Sequence, residues 1–223
     1  MSSEVLQSPK TELLKIVSEE LQIKGVRTSV LEPARKRKAD PYGGHRQHLF
    51  ESELTQFLNT IKQGKGKHAY RNWLMLYMAY RYGLRREEIG LLRWVDVNFD
   101  QGEIYIHRLK GSKSNTHPLD GQELRKLRRL KREYPAAPFI FAGYGGKGIS
   151  GKAVSKVFKA AAAAIALPEE LSHPHVLRHT RGYLMVEKGY PLRIIQEWLG
   201  HKQIQHTVRY TALSAAQFRD VVD

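Results

Sequence analysis

The sequence predicts a mainly α-helical fold with one small antiparallel β-sheet, an α+β domain. Three observations carry that prediction. Apolar residues recur at helical spacing over most of the chain. One stretch, 95–107, instead contains two alternating runs, VDVNF and EIYIH, joined by Asp100-Gln101-Gly102, which is a β-hairpin signal. At 223 residues, with 41% hydrophobic and 26% charged side chains, the chain has the usage of an ordinary globular protein and the length to bury a core.

The elements follow in order. Residues 1–45 stand apart as an N-terminal helix and a basic flexible arm or linker. Leu13, Leu14, Ile16, Val17 and Leu21 give residues 12–23 an amphipathic helical pattern. The segment EPARKRKADPYGG then mixes prolines and glycines with the basic run Arg35-Lys36-Arg37-Lys38, readable as a solvated linker or as an arm lying on phosphates. Residues 46–223 form the denser part. Leu54, Phe57, Leu58 and Ile61 share one face of a helix over 50–62, and YRNWLMLYMAYRY, 70–82, is apolar almost all round and predicts a buried helix capped by Gly83. A further short helix is expected over 85–93, then the hairpin, then a third strand at 115–119. The basic segment ELRKLRRLKRE, 123–133, carries Leu124, Leu127 and Leu130 on one side, and it and residues 143–152 are candidates to face phosphates. Phe139-Ile140-Phe141-Ala142 reads as a short strand or a buried turn. Ser150 caps a helix running to about Ala166, and further helices are expected over 173–189, 192–200 and 212–222.

Charge narrows the function. With 37 Lys+Arg against 22 Asp+Glu, the net charge is +15, which points to a polyanionic partner, nucleic acid or an acidic membrane. The longest apolar run, 160–167, is far short of the ~20 residues a membrane span needs. MSSEVLQSPK has neither a basic n-region nor an apolar h-region, so no secretory signal is expected. The absence of cysteine excludes a disulfide scaffold and a thiolate metal site. The expectation is a soluble cytoplasmic, nucleoid-associated protein that binds DNA or RNA. Residues 146–153 resemble a P-loop, but Ala153 stands where the magnesium-holding hydroxyl belongs. His175 and His179 lack the glutamate of a zinc-binding HExxH helix. No cofactor and no metal are expected.

Three blocks remain: Gly83-Leu84-Arg85-Arg86-Glu87-Glu88; the turn Arg108-Leu109-Lys110-Gly111-Ser112-Lys113 leading to His117-Pro118; and His175-Val176-Leu177-Arg178-His179 followed by Gly200-His201 and Tyr210. His175 and Arg178, at i,i+3, face the same way on a helix. Two guanidiniums can each make paired hydrogen bonds to the oxygens of one phosphate and favour its more highly charged transition state. A tyrosine beside that phosphate can attack it, a lysine can protonate the leaving alkoxide, and histidines can carry the tyrosyl proton. Glu88 reads as the partner that orients Arg85, and Leu92 and Trp94 as core.

This ordered set resembles the tyrosine recombinases, or phage integrases. Their pattern places an arginine in G-x-R-x-x-E, a lysine in a β-turn, then H-x-x-R, then G-H with a tyrosine nine residues on. Arg85 and Glu88 match the first element, His175 and Arg178 the third, and His201 and Tyr210 the last. Lys110, eight residues before Pro118, matches the lysine, with Lys113 as the alternative. IYIHRLK, THPL, HPHVLRH and HTVRYTA look most like the small fimbrial-switch (Fim-type) invertases, enzymes that consist mainly of the catalytic domain. The helical domain that clamps the other face of DNA in longer members is therefore expected to be missing. Thr116-His117 stands where many members carry a basic residue, a departure the small invertases share.

The resemblance implies a tyrosine recombinase catalytic domain over 46–223 and site-specific recombination without metal or ATP. Tyr210 would form a 3′-phosphotyrosyl link and free a 5′-hydroxyl. Arg85 and Arg178 would hold the phosphate with His175 and His201. Lys110 would be the acid, and His175 the base or proton relay. The implied partners are double-stranded DNA with paired recombination sites, a homotetramer on that DNA, and accessory DNA-bending proteins, but no membrane. The tail after Tyr210 would dock on a neighbouring protomer or pack on its own domain. Three other readings stand beside this one: a catalytically silent DNA-binding regulator of the same fold, a type IB-like DNA-relaxing enzyme, and an RNA- or ribosome-binding basic protein.

Overall fold

The computed structural model describes residues 46–109 and 111–211. The readings for residues 1–45, for Lys110 and for the tail 212–223 lie outside the described residues.

Helix α1, Glu51–Lys62, starts where the Glu53 carboxylate accepts the Phe50 backbone N–H at 2.8 Å, and the same carboxylate pairs with Arg46. Leu54, Phe57 and Ile61 form its buried stripe. Helix α2, Ala69–Arg81, buries Trp73 to Leu76, Met78 and Ala79, the all-round apolarity of a central helix. It ends as expected at Gly83, whose φ of +58° an L side chain rarely adopts.

The helix expected over 85–93 is only one turn, α3, Arg86–Ile89. The backbone beyond it is claimed by residues 138–140. Trp94 N–H donates to Pro138 O at 3.1 Å, Ile140 N–H donates to Leu92 O at 2.9 Å, and Arg93 bridges to Phe139. That pairing buries Leu92, Trp94, Ile140 and Phe141 together and outweighs continuation of a short helix. Residues 139–142 are accordingly a buried turn with isolated bridges.

The sheet has the expected antiparallel order β1-β2-β3, formed by Val97–Asn98, Glu103–Ile106 and Asn115–Pro118. The first strand is shorter than its alternating pattern, because Trp94–Asp96 turns as a 3-10 helix and leaves Val95 81% exposed. Asn98 closes the hairpin: its side-chain oxygen accepts the N–H groups of Asp100 and Gln101 at 3.1 and 3.0 Å. Ile104 pairs with His117, both buried. The His117 ring lies edge-on to Tyr82 and Trp198, so this departure from the family pattern is a core contact.

Helix α4, Gly121–Glu133, is capped reciprocally by Asp120 and Glu123. Its basic face is partly occupied by its own domain. Lys126 lies over Tyr77, Arg128 over Phe99, Arg129 over Tyr70, and Lys131 over both Trp94 and Phe99. Helix α5, Gly151–Ala164, is capped by Ser150 as expected and packs Phe158 on Phe57. Helix α6, His175–Glu187, is buried along most of its length, and α7, Leu192–Leu199, follows it. A one-turn helix, α8, Gln205–Val208, was not expected; apart from Thr207 it buries nothing, so its sequence has no helical apolar pattern. Among the described residues no helix is long and apolar enough to cross a membrane.

Candidate active site

Arg85, His175, Arg178, His201 and Tyr210 line one cavity of about 440 Å³. They come from the start of α3, from α6, from the turn after α7 and from the turn after α8. Lys110 lies outside the described residues, but its neighbours Gly111 and Ser112 line the same cavity. Lys113, the alternative, is held elsewhere: its Nζ pairs with Glu197 at 3.5 Å, and it does not line the cavity.

Arg178 is 1% exposed. Its Nη1 donates to Gly83 O at 2.6 Å and its Nη2 to Leu199 O at 2.8 Å, so the ends of α2 and α7 clamp the guanidinium plane. Burial, then the nearby Arg108 and Arg85, bring its pKa down to about 9. It stays charged at neutral pH and is held in surroundings that favour an incoming anion.

Arg85 is oriented by Glu88, as its spacing predicts. Glu88 Oε1 accepts Arg85 Nη1 at 2.7 Å, and Oε2 accepts the Arg85 backbone N–H at 2.9 Å. Sequence reasoning missed the third arginine. Arg108 is buried beneath the site, where its guanidinium donates to Glu88 Oε2 at 3.1 Å and to the carbonyls of Tyr82, Gly83 and Trp198. Glu88 also accepts Leu109 N–H at 3.1 Å, which ties the lysine-bearing loop to α3. Two guanidiniums, of Arg85 and Arg108, thus share one carboxylate while Arg178 is held by carbonyls, and the surplus positive charge suits a phosphodiester.

Glu88 is fully buried. Burial pushes its pKa up, but Arg108, the Arg85 N–H and the Arg85 guanidinium together hold it below the ordinary carboxylate value. Its pairing therefore contributes stability that is present above the unfolded carboxyl's pKa and is lost as pH falls through the lower folded value. Glu88→Gln, measured by denaturant unfolding at neutral pH, is expected to cost about 3–5 kcal/mol, because Arg108 is left as a buried unpaired charge. A loss below about 1 kcal/mol, the range of an exposed pair, would contradict this assignment.

Gly200 ends α7 at φ +68°, and a Cβ there would come within 2.5 Å of Lys113 O. The glycine lets the β2–β3 loop approach and turns the chain so that His201 enters the site. His201 is buried, with Nδ1 2.8 Å from Thr207 Oγ1, and burial followed by Arg178 lowers its pKa to about 2. His175 sits at the cavity rim, its pKa lowered to about 4 by desolvation and then by Arg178 and Arg85. Both are neutral at physiological pH.

Tyr210 is 3% exposed, and its hydroxyl lies 3.3 Å from His179 Nδ1. The sequence placed His179 at the end of the His175–Arg178 block and weighed it as a metal ligand but gave it no role in the site; its position four residues after His175 put it on the same helical face. Lys202, His206 and Arg209 complete the basic wall. Among the described residues no cluster of three or more His, Cys, Asp or Glu side chains is placed to hold a metal ion.

The Phage integrase family model matches residues 47–217. The chain is 35% identical over 193 residues to Type 1 fimbriae regulatory protein FimB of Escherichia coli (strain K12), covering 84% of this chain and 94% of the relative. It is 30% identical over 179 residues to Tyrosine recombinase XerA of Pyrococcus furiosus, covering 78% of this chain and 60% of that protein. In structure it resembles the XerH site-specific recombinase bound to palindromic difH substrate in a post-cleavage complex, with a TM-score of 0.71 at 23% identity, over 79% of this chain and 52% of that one. It also resembles a lambda integrase dimer bound to a COC' core site, with a TM-score of 0.59 at 21% identity, over 88% and 56% of the two chains. The chain thus spans about half the length of these solved recombinase chains.

Proposed function

The chain belongs to the phage integrase family of tyrosine recombinases, DNA-cleaving and rejoining enzymes, and from that premise we propose how its own residues do this work. Tyr210 is the nucleophile. Arg85 and Arg178 hold the scissile phosphate, aided by His201, and Lys110 protonates the leaving 5′-oxygen. His175 serves the tyrosyl proton as base or relay. Residues 46–223 act as the catalytic domain, on double-stranded DNA carrying paired sites, as a tetramer of identical protomers and with DNA-bending proteins as accessory partners.

One observation supports this reading: a buried tyrosine shares a cavity with two guanidiniums, Arg178 fixed by the Gly83 and Leu199 carbonyls and Arg85 fixed by Glu88, which also holds Arg108. Fixed cations gain interaction energy as the attacked phosphate accumulates charge, so they lower the barrier rather than merely bind DNA. Cleavage conserves bond energy in the phosphotyrosine, and the partner strand's 5′-hydroxyl reverses the step.

The test uses supercoiled plasmids bearing one or two copies of DNA from the flanks of the chain's own gene. Strand exchange on the two-copy plasmid alone, without ATP or divalent metal, is the expected result. Relaxation of both plasmids without exchange would make the chain a relaxing enzyme. Salt-sensitive binding with no covalent adduct would make it a regulator without catalysis.

A further inference from the structure

The Tyr210 ring is tightly seated. A Cβ on Gly182 would fall 2.5 Å from Tyr210 Cε2 and 2.7 Å from Cδ2 and Cζ, so α6 can carry no larger residue beneath the ring. Tyr183 meets the ring edge-on at 5.2 Å, and His201 lies nearly parallel to it at 6.1 Å. This packing brings the hydroxyl to His179, one turn before Gly182 and Tyr183 on the same helix. His179 is itself buried, and its ring lies edge-on to His175 at 4.6 Å. Both rings line the cavity beside the hydroxyl.

We propose that His179 is a catalytic residue, the immediate acceptor of the Tyr210 proton. The inference rests on the assignment of Tyr210 as nucleophile. As Oη bonds to phosphorus and the bond from phosphorus to the 5′-oxygen breaks, the Oη proton moves to His179 Nδ1, while the leaving 5′-oxygen takes a proton from Lys110. Rejoining runs the same transfers backwards, so no other reactant is consumed. His175 then relays rather than receives the proton first.

The electrostatics agree with the geometry. Burial, then His175, Arg209 and Arg178, lower the His179 pKa to about 3, so the ring is neutral at physiological pH. A bound phosphodiester anion offsets the Arg178 and Arg209 charges and raises the ring's basicity when the proton must be taken.

Single-turnover adduct formation on the flank DNA tests the role. His179→Ala and His179→Asn are compared; the asparagine keeps a polar atom near the Nδ1 position but has no basicity. Each is expected to slow cleavage about 10²-fold. Replacing Tyr210 by the more acidic difluorotyrosine should shrink the His179→Asn defect to within about fivefold, since an acidic nucleophile needs a base less. A 5′-bridging sulfur, which leaves without a proton, should rescue Lys110→Ala but not His179→Asn. In the unmutated chain, NMR of isotope-labelled histidine should show the His179 proton on Nε2. A His179→Asn variant within about threefold of wild type overturns the proposal, as does a defect that difluorotyrosine leaves unchanged, or a proton found on Nδ1. Persistence of the adduct in Tyr210→Phe would instead remove the nucleophile assignment.

Discussion

Tyr210→Phe is expected to eliminate the SDS-resistant protein–DNA adduct while leaving the fold and salt-sensitive DNA binding in place. The substitution removes one oxygen and leaves the ring. That ring is held by Gly182 below, Tyr183 at its edge and His201 alongside, so the packing survives. Loss of the 3.3 Å contact with His179 costs about 0.5–1.5 kcal/mol. Binding is retained because phosphate contacts come from guanidinium and ammonium groups that the change does not touch. The chemistry has no substitute, since covalent linkage needs the hydroxyl. Labelled duplex from the gene's flanks, run on a denaturing gel with and without prior SDS, reads the adduct; a thermal melt and a salt titration of binding read the rest. An adduct of undiminished yield in the variant would assign the linkage to another residue.

Arg178→Lys, which keeps the charge, is expected to lower the cleavage rate by about 10²–10³-fold. The Arg178 guanidinium is fixed at two points, with Nη1 on Gly83 O and Nη2 on Leu199 O. The guanidinium so held lines the cavity that Tyr210 shares. An ammonium cannot span both carbonyls, so it is less well placed for the phosphate and leaves one buried carbonyl short of a partner. The accompanying loss of stability is about 1–3 kcal/mol. DNA affinity at moderate salt should change little, because the number of positive charges is the same. Single-turnover cleavage and denaturant unfolding, measured on one preparation, separate the two effects. Cleavage within about threefold of wild type would show that charge alone suffices there.

These effects differ in how far they were visible in the chain. The i,i+3 relation of Arg85 to Glu88 is local, and the structure keeps it as an ion pair of 2.7 Å. The turn at Gly83 and the Ser150 cap were likewise visible, because both depend on backbone conformation over a few residues. The helix expected over 85–93 was not kept, because the segment beyond Ile89 pairs with residues from a distant part of the chain. Arg108 looked like one more cation beside the lysine turn; its pairing with Glu88 spans 20 residues and its bond to Trp198 O spans 90. His179 was visible as a residue on the right face of α6 but not as a neighbour of Tyr210, 31 positions away.

The sequence by itself determined the helical class, the order of most elements and the surplus of positive charge, and, through its resemblance to the tyrosine recombinases, the ordered residue set from Arg85 to Tyr210. The class and the charge follow from composition and from spacing along single elements, where side-chain direction repeats with a known period. Only the tertiary structure decided that Arg108 is buried against Glu88, that Lys113 is tied to Glu197, and that the Tyr210 hydroxyl meets His179. The Lys113–Glu197 pair is exposed and follows from proximity alone, but the other two outcomes depend on which buried charges and rings find partners once separate elements close on one another. Desolvation enforces that choice, because an unpartnered polar group in the interior costs more than most local preferences supply.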